Sequence, residues 1–198
     1  MENSKKVSPK FKTIFLGKIA PKDARLKTLK RWCGEFHRHD LAPCYGGGSY
    51  GNLSLRVKKG RDEFIITASG LQLKRGLTNR SFFHVTKVDM NKKQVAGYGL
   101  RPPSSESLLH FAIYRKRKDI NAIFHGHCMQ LLKAPSRCGI PQTSEEKPYG
   151  TIALVKCVLH ILGKRQFIIM KNHGFISMGR SMDEAGKRAL AMKRIKLS

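Results

Sequence analysis

Acidic residues are scarce in this chain: 13 Asp and Glu stand against 39 Lys and Arg in 198 residues, a formal charge of +26. That imbalance leaves three readings open: nucleic-acid binding, an enzyme for anionic substrates, or a basic composition without site meaning. Aromatic residues are also few, at 8%. They show no interleaving with the basic runs at 5–6, 58–59, 92–93, 115–118, 164–165 and 193–194. A dedicated nucleic-acid surface gathers charge on one face with stacking rings between, so polyanion binding is the secondary reading. No apolar run approaches the roughly 18 residues of a membrane-spanning helix, and MENSKKVSPKFK shows no secretory signal. The five cysteines (Cys33, Cys44, Cys128, Cys138, Cys157) are odd in number and form no CxxC pair. This argues against a disulfide framework, excludes a Cys₄ zinc site, and implies a reducing, cytoplasmic setting. Internal repeats, low-complexity tracts and long linkers are absent as well.

What is present is a hydrophobic fraction of 40%, enough for one domain that buries roughly 70% of its unfolded surface. Residues 1–20 read as a basic arm, loose over 1–12, and 21–198 as the domain. Asp23 to His39 reads as an amphipathic helix, with Leu26, Leu29, Trp32, Cys33 and Phe36 at i, i+3, i+4 spacing. GlyGlyGlySer at 46–49 breaks the chain. Strands are expected at 52–57, 63–67, 82–88 and 92–98, then a serine-capped helix at 106–116 and a strand at 121–124. A helix at 151–162, a strand at 166–170, a turn at 172–174 and a helix from Ser181, with Glu184 completing a capping box, close the chain. Strands clustered among helices indicate an α/β or α+β sheet with helices around it.

The histidines divide by local geometry. His37 and His39 lie in the first helix, where side chains two apart diverge by about 200° and cannot hold one ion. His125 and His127 have the same spacing at a strand end, where i and i+2 share a face. Gly126 between them removes bulk. With His173, at another strand end, they would make three neutral imidazoles with an open fourth position, a set suited to catalytic zinc. Spacing alone fits turn histidines bonded to backbone equally well. Glu106 is the only acidic residue between Asp89 and Asp119. It reads either as a helix-start charge favoured by the dipole or as a proton carrier near a metal. Ser104 and Ser105, Ser69-Gly70 and Gly51-Asn52 offer donors of the kind that hold phosphate, each weak alone.

Taken in order, GlyAsnLeuSerLeuArg at 51–56, IleThrAlaSerGly at 66–70, ProSerSerGlu at 103–106 with His110, HisGlyHis at 125–127 and AsnHisGly at 172–174 resemble the class II aldolase/adducin family. The resemblance spans about residues 25–190. It implies a three-layer α/β/α sandwich around a mostly antiparallel sheet, usually a homotetramer with sites between subunits. By the same resemblance His125, His127 and His173 match zinc ligands, one ion per chain, and Glu106 matches the catalytic acid/base. Gly51, Asn52, Ser69, Gly70, Ser104 and Ser105 match the phosphate-holding positions.

The implied activity is a zinc-dependent aldolase acting on a small phosphorylated ketose. Zinc would polarise the substrate carbonyl and stabilise the enediolate left when the C3–C4 bond breaks, while Glu106 moves the proton. Two alternatives stand beside it: a ketose 1-phosphate dehydratase of the methylthioribulose-phosphate type, and a non-catalytic polyanion-binding module. Glutamate at 106 resembles the aldolases and dehydratases, because the family's epimerases typically carry aspartate there. The adducin-like branch has generally lost the zinc histidines, and this chain keeps all three. Two departures point to a less characterised subgroup. Only about 25 residues follow His173 (198 − 173), so none is assigned the tyrosine that fuculose-phosphate aldolases lend to a neighbouring subunit. The stretch 128–149 also differs, and Pro148-Tyr149-Gly150 reads as a turn before a helix.

Overall fold

The computed structural model describes residues 9–74, 76–132 and 139–194; Cys138 and the basic residues of 1–8 lie outside them. Helix α1 (Leu26–Arg38) buries the five residues that its spacing picks out. It begins later than expected because Asp23 accepts from the Arg25 backbone N–H at 2.9 Å and from its guanidinium, closing a local turn. Strand β1 (Lys12–Gly17) follows the first described residues. This corrects the basic arm of 1–20, since Lys12–Gly17 joins the sheet edge. A short hairpin of β2 (Cys44–Tyr45) and β3 (Gly48–Ser49) turns through the glycines that the sequence marks as a break.

The main sheet continues with β4 (Gly51–Arg56), β5 (Phe64–Thr67), β6 (Phe82–Asp89) and β7 (Gln94–Gly99). After helix α2 (Ser107–Lys116) come β8 (Ala122–Gly126), the short α3 (Met129–Leu132) and α4 (Ile152–Leu162). Strands β9 (Phe167–Met170) and β10 (Gly174–Gly179) and helix α5 (Met182–Lys193) complete it. The eight strands are ordered β1-β7-β6-β5-β4-β8-β10-β9. The sheet is mixed: β1 runs parallel to β7, and every other neighbouring pair is antiparallel.

Alternation along the strands sends side chains to two cores. Leu53, Leu55, Ile65, Phe124 and Phe175 pack beneath α1 and α5. Phe64, Ile66, Phe83, Ile123, Ile168 and Ile176 pack against α2 and α4. Helices therefore cover both faces of the sheet.

Strand β4 carries a polar line, Asn52, Ser54 and Arg56, into the second core, and all three are buried. Ser54 Oγ lies 2.7 Å from His110 Nδ1 and 2.8 Å from the Tyr114 hydroxyl on α2. The Arg56 guanidinium stacks on Tyr114 and donates to the carbonyls of Ile120 at 2.8 Å and Tyr114 at 2.9 Å. These bonds tie α2 across β4, so the start of α2 is held over the sheet end from which the candidate ligands project.

The capping differs in detail from expectation. Glu106, not a serine, occupies the N-cap position of α2, without a side-chain cap; Ser104 Oγ accepts from the Glu106 N–H at 3.4 Å. At α5, Ser181 Oγ accepts from the Glu184 N–H at 3.1 Å, but the Glu184 carboxylate accepts from Arg180 N–H at 2.9 Å and so completes only half a capping box. Cys33, Cys44, Cys128 and Cys157 are free thiols, and no helix among the described residues is long and apolar enough to cross a membrane.

Candidate metal and substrate site

The sheet brings three histidines to one point. His125 is near the end of β8, His127 follows that strand, and His173 lies in the turn joining β9 to β10. Because β10 pairs with β8, with Ile176 opposite His125, the turn folds back onto the histidine pair. Ring nitrogens of the three lie within 4.8 Å of one another. Gly126 is required for space: a Cβ there would stand 2.4 Å from the Leu41 carbonyl oxygen and 2.6 Å from Phe175 Cζ. A Cβ on Gly174 would likewise meet the Gly126 carbonyl oxygen at 2.5 Å.

The electronic state of these rings fits a cation. His125 Nδ1 is 2.9 Å from the Phe175 carbonyl oxygen. A carbonyl only accepts, so Nδ1 carries the proton and Nε2 presents its lone pair. That Nε2 lies 3.1 Å from His127 Nε2. Burial and mutual proximity hold the His125 imidazole well below its usual pKa. Burial also lowers His127 to about 3 and His173 to about 4. Three imidazoles kept neutral, with nitrogens converging, are the donor set of a borderline-soft divalent ion. His37 and His39 have no such partners: His37 Nδ1 lies 3.8 Å from Cys44 Sγ, and His39 pairs with Glu35 at 3.6 Å.

Glu106 stands beside the cluster, its Oε1 3.8 Å from His173 Nε2 and only 2% exposed. Desolvation pushes its carboxyl up to about 7, opposed by the Gly150 N–H, which donates to Oε1 at 3.2 Å, and by the charge of Lys10. Its Oε2 is buried without a partner, as are Asn52 Oδ1 and His173 Nδ1. A carboxyl that titrates near neutrality, with one oxygen held and the other free, can both take and return a proton.

A cavity of about 380 Å³ opens onto this group. Gly51, Asn52, Ser69, Gly70, Ser104, Ser105, Glu106, His125, His127 and His173 all line it, so every site residue picked from the sequence faces one space. Asn52 is the direct cross-strand neighbour of His125. Ser104 and Ser105 sit at the N-terminal end of α2, where the helix dipole favours an anion. Sequence reasoning missed an aromatic and apolar wall of Tyr45, Tyr50, Leu71 and Met129. The rings of Tyr45 and Tyr50 meet in a tilted contact at 4.7 Å, and those of Tyr50 and His127 at 5.2 Å. Tyr50 had a signal, since it directly precedes Gly51-Asn52; Tyr45 had none. The turn at 148–150 is a turn before a helix, as read, but it also places Tyr149 in the cavity lining.

Residues 28–195 match the family model described as Class II Aldolase and Adducin N-terminal domain. The chain is 29% identical over 153 residues to an L-fuculose phosphate aldolase of Methanocaldococcus jannaschii, covering 71% of this chain and 78% of that one. It is 27% identical over 154 residues to the L-fuculose phosphate aldolase of Escherichia coli O6:H1, covering 70% of this chain and 66% of the relative. Among solved structures, an L-fuculose 1-phosphate aldolase superposes with a TM-score of 0.70 at 22% identity, over 89% of this chain and 86% of the other.

Proposed function

Because the chain belongs to the class II aldolase and adducin family, we propose that it is a metal-dependent lyase that cleaves a carbon–carbon bond in a small phosphorylated ketose. The observation that carries this reading is the meeting, in one cavity, of three neutral converging imidazoles and a carboxyl poised near neutrality. His125, His127 and His173 hold one zinc per chain, which when bound supplies Lewis-acid polarisation of the substrate carbonyl. Glu106 moves the proton at its free Oε2, while the Gly150 N–H keeps Oε1 in place. Asn52, Ser69, Gly70, Ser104 and Ser105, with the backbone at Gly51, bind the phosphate and orient the reacting carbons. Binding the phosphate far from the reacting bond supplies energy for that orientation. We take the homotetramer from the family resemblance; in it a neighbouring subunit would cover the cavity rim at Tyr50 and Met129, which is exposed in the single chain.

The test is a set of phosphorylated ketoses offered to zinc-loaded protein with the products counted. The purified chain is expected to carry close to one zinc, and cleavage gives two carbon fragments. A single dehydrated product would instead assign a dehydratase using the same zinc and Glu106. Glu106→Gln should abolish turnover and retain the metal; full activity in that variant would remove Glu106 from the chemistry.

A further inference from the structure

The stretch matched by the family begins at residue 28, yet the segment before it reaches the site. Lys12 N–H donates to the Lys93 carbonyl at 2.9 Å, and β1 then runs in register with β7. This anchorage places Lys10 with its ammonium 4.1 Å from the centre of the Tyr149 ring. Gly150 adopts φ +66°, a left-handed conformation suited to glycine. A Cβ built on it would meet the Ser105 carbonyl oxygen at 3.0 Å on one side and Lys10 Cβ at 3.7 Å on the other. The turn at 148–150 is thus wedged between the N-terminal segment and the start of α2. Its inner products are the Gly150 N–H on Glu106 Oε1, at 3.2 Å, and the Tyr149 ring in the cavity lining.

We infer that residues 9–11, immediately before β1, are a working part of the active site. Among them Lys10 is a positioning residue that clamps Tyr149 by a cation–π contact, so that Gly150 holds one oxygen of Glu106 and leaves the other to the substrate. Lys10 does not line the cavity and acts through the turn, not on the substrate. Its charge also favours the carboxylate form of Glu106. Arginine can take the same place because a guanidinium stacks on an aromatic face, whereas methionine keeps the length and loses the cation. The role given to Glu106 rests on the lyase reading; the clamp itself rests on geometry alone.

The experiment uses the full chain, zinc-loaded, as the parent and as Lys10→Met and Lys10→Arg. The probe is dihydroxyacetone phosphate, a three-carbon ketose phosphate, and the readout is exchange of its carbon-bound proton for solvent deuterium. Lys10→Met is expected to lower kcat for exchange roughly fivefold with KM within about twofold, and Lys10→Arg to restore it. In parallel, the amide resonance of Gly150 in the metal-free chain should move in Lys10→Met and return in Lys10→Arg. A rise in KM with kcat unchanged would overturn the proposal, because Lys10 would then bind the anion directly. An unmoved Gly150 resonance would overturn it too. If the parent itself exchanges no proton, the lyase reading loses its support, and the Gly150 resonance alone still decides the clamp.

Discussion

Glu106 shows how much of a site's chemistry is set by where one side chain is buried. Its carboxyl titrates at about 7 in the fold, against 4.5 for a free glutamate side chain, chiefly through desolvation. Between those values the folded chain keeps a proton that the unfolded chain has released. The stability the group contributes is therefore complete below pH 4.5 and lost as pH rises through 7. Glu106→Gln removes this dependence and keeps an acceptor for the Gly150 N–H. In metal-free protein the variant should gain stability relative to the parent between pH 4.5 and 8, by on the order of 2–3 kcal/mol. Urea unfolding of both proteins at the two ends of that range measures the gain, and an equal difference at both would refute the raised pKa. Little of this was legible in the residue order, where Glu106 reads as well as a helix-start charge. The distinction comes from the cavity that deprives it of water.

Among the elements, those with a strong local signal were legible and those made by partnership were not. Helix α1 was marked by its apolar stripe and α5 by its cap at Ser181, and the structure adds a Thr151 cap at the start of α4. Strand β10 was missed because Gly174–Gly179 is buried throughout and alternates nothing, the pattern of a strand covered on both faces. Strand β1 was missed because its parallel pairing with β7 depends on residues some eighty positions away. The cost of disturbing the tightest junction belongs to this scale. Gly126→Ala forces a Cβ into the Leu41 carbonyl oxygen and the Phe175 ring, so α1's following loop and β10 must both shift. A loss of about 2–3 kcal/mol is expected from such overpacking, together with weaker zinc binding, because His125 and His127 flank the displaced residue. Denaturant unfolding and zinc titration of the variant check the two parts, and parent-like values in both would show that the junction yields.

Over the whole molecule, the acidic minority forms ion pairs both within a turn and between distant elements. Asp23 pairs with Arg25, Glu35 with Arg38, Asp119 with Arg117 and Asp183 with Arg31, and the +26 is what remains after every acidic residue is counted against a basic one. Such a charge repels itself across a compact body, and salt screens that repulsion. Raising sodium chloride from about 20 to about 200 mM should raise the melting temperature, with Debye lengths falling from roughly 20 to under 10 Å. A melting temperature that falls over the same range would mean that the local pairs outweigh the net charge. The motif order picked out, from across the chain, residues that line one cavity, although no single fragment did, because their proximity is created by the sheet.

Asn52 and His125 face each other across β4 and β8, two central strands of the sheet. A slip of that pairing by one residue would turn His125 into the opposite layer, away from His173 and Glu106. Under the proposed zinc assignment, metal uptake would be a clock for folding: an ion could be captured only after the middle of the sheet has found its alignment. Following zinc capture during refolding, with a chromophoric chelator as competitor, would time that event separately from the burial of Trp32 on the inner face of α1.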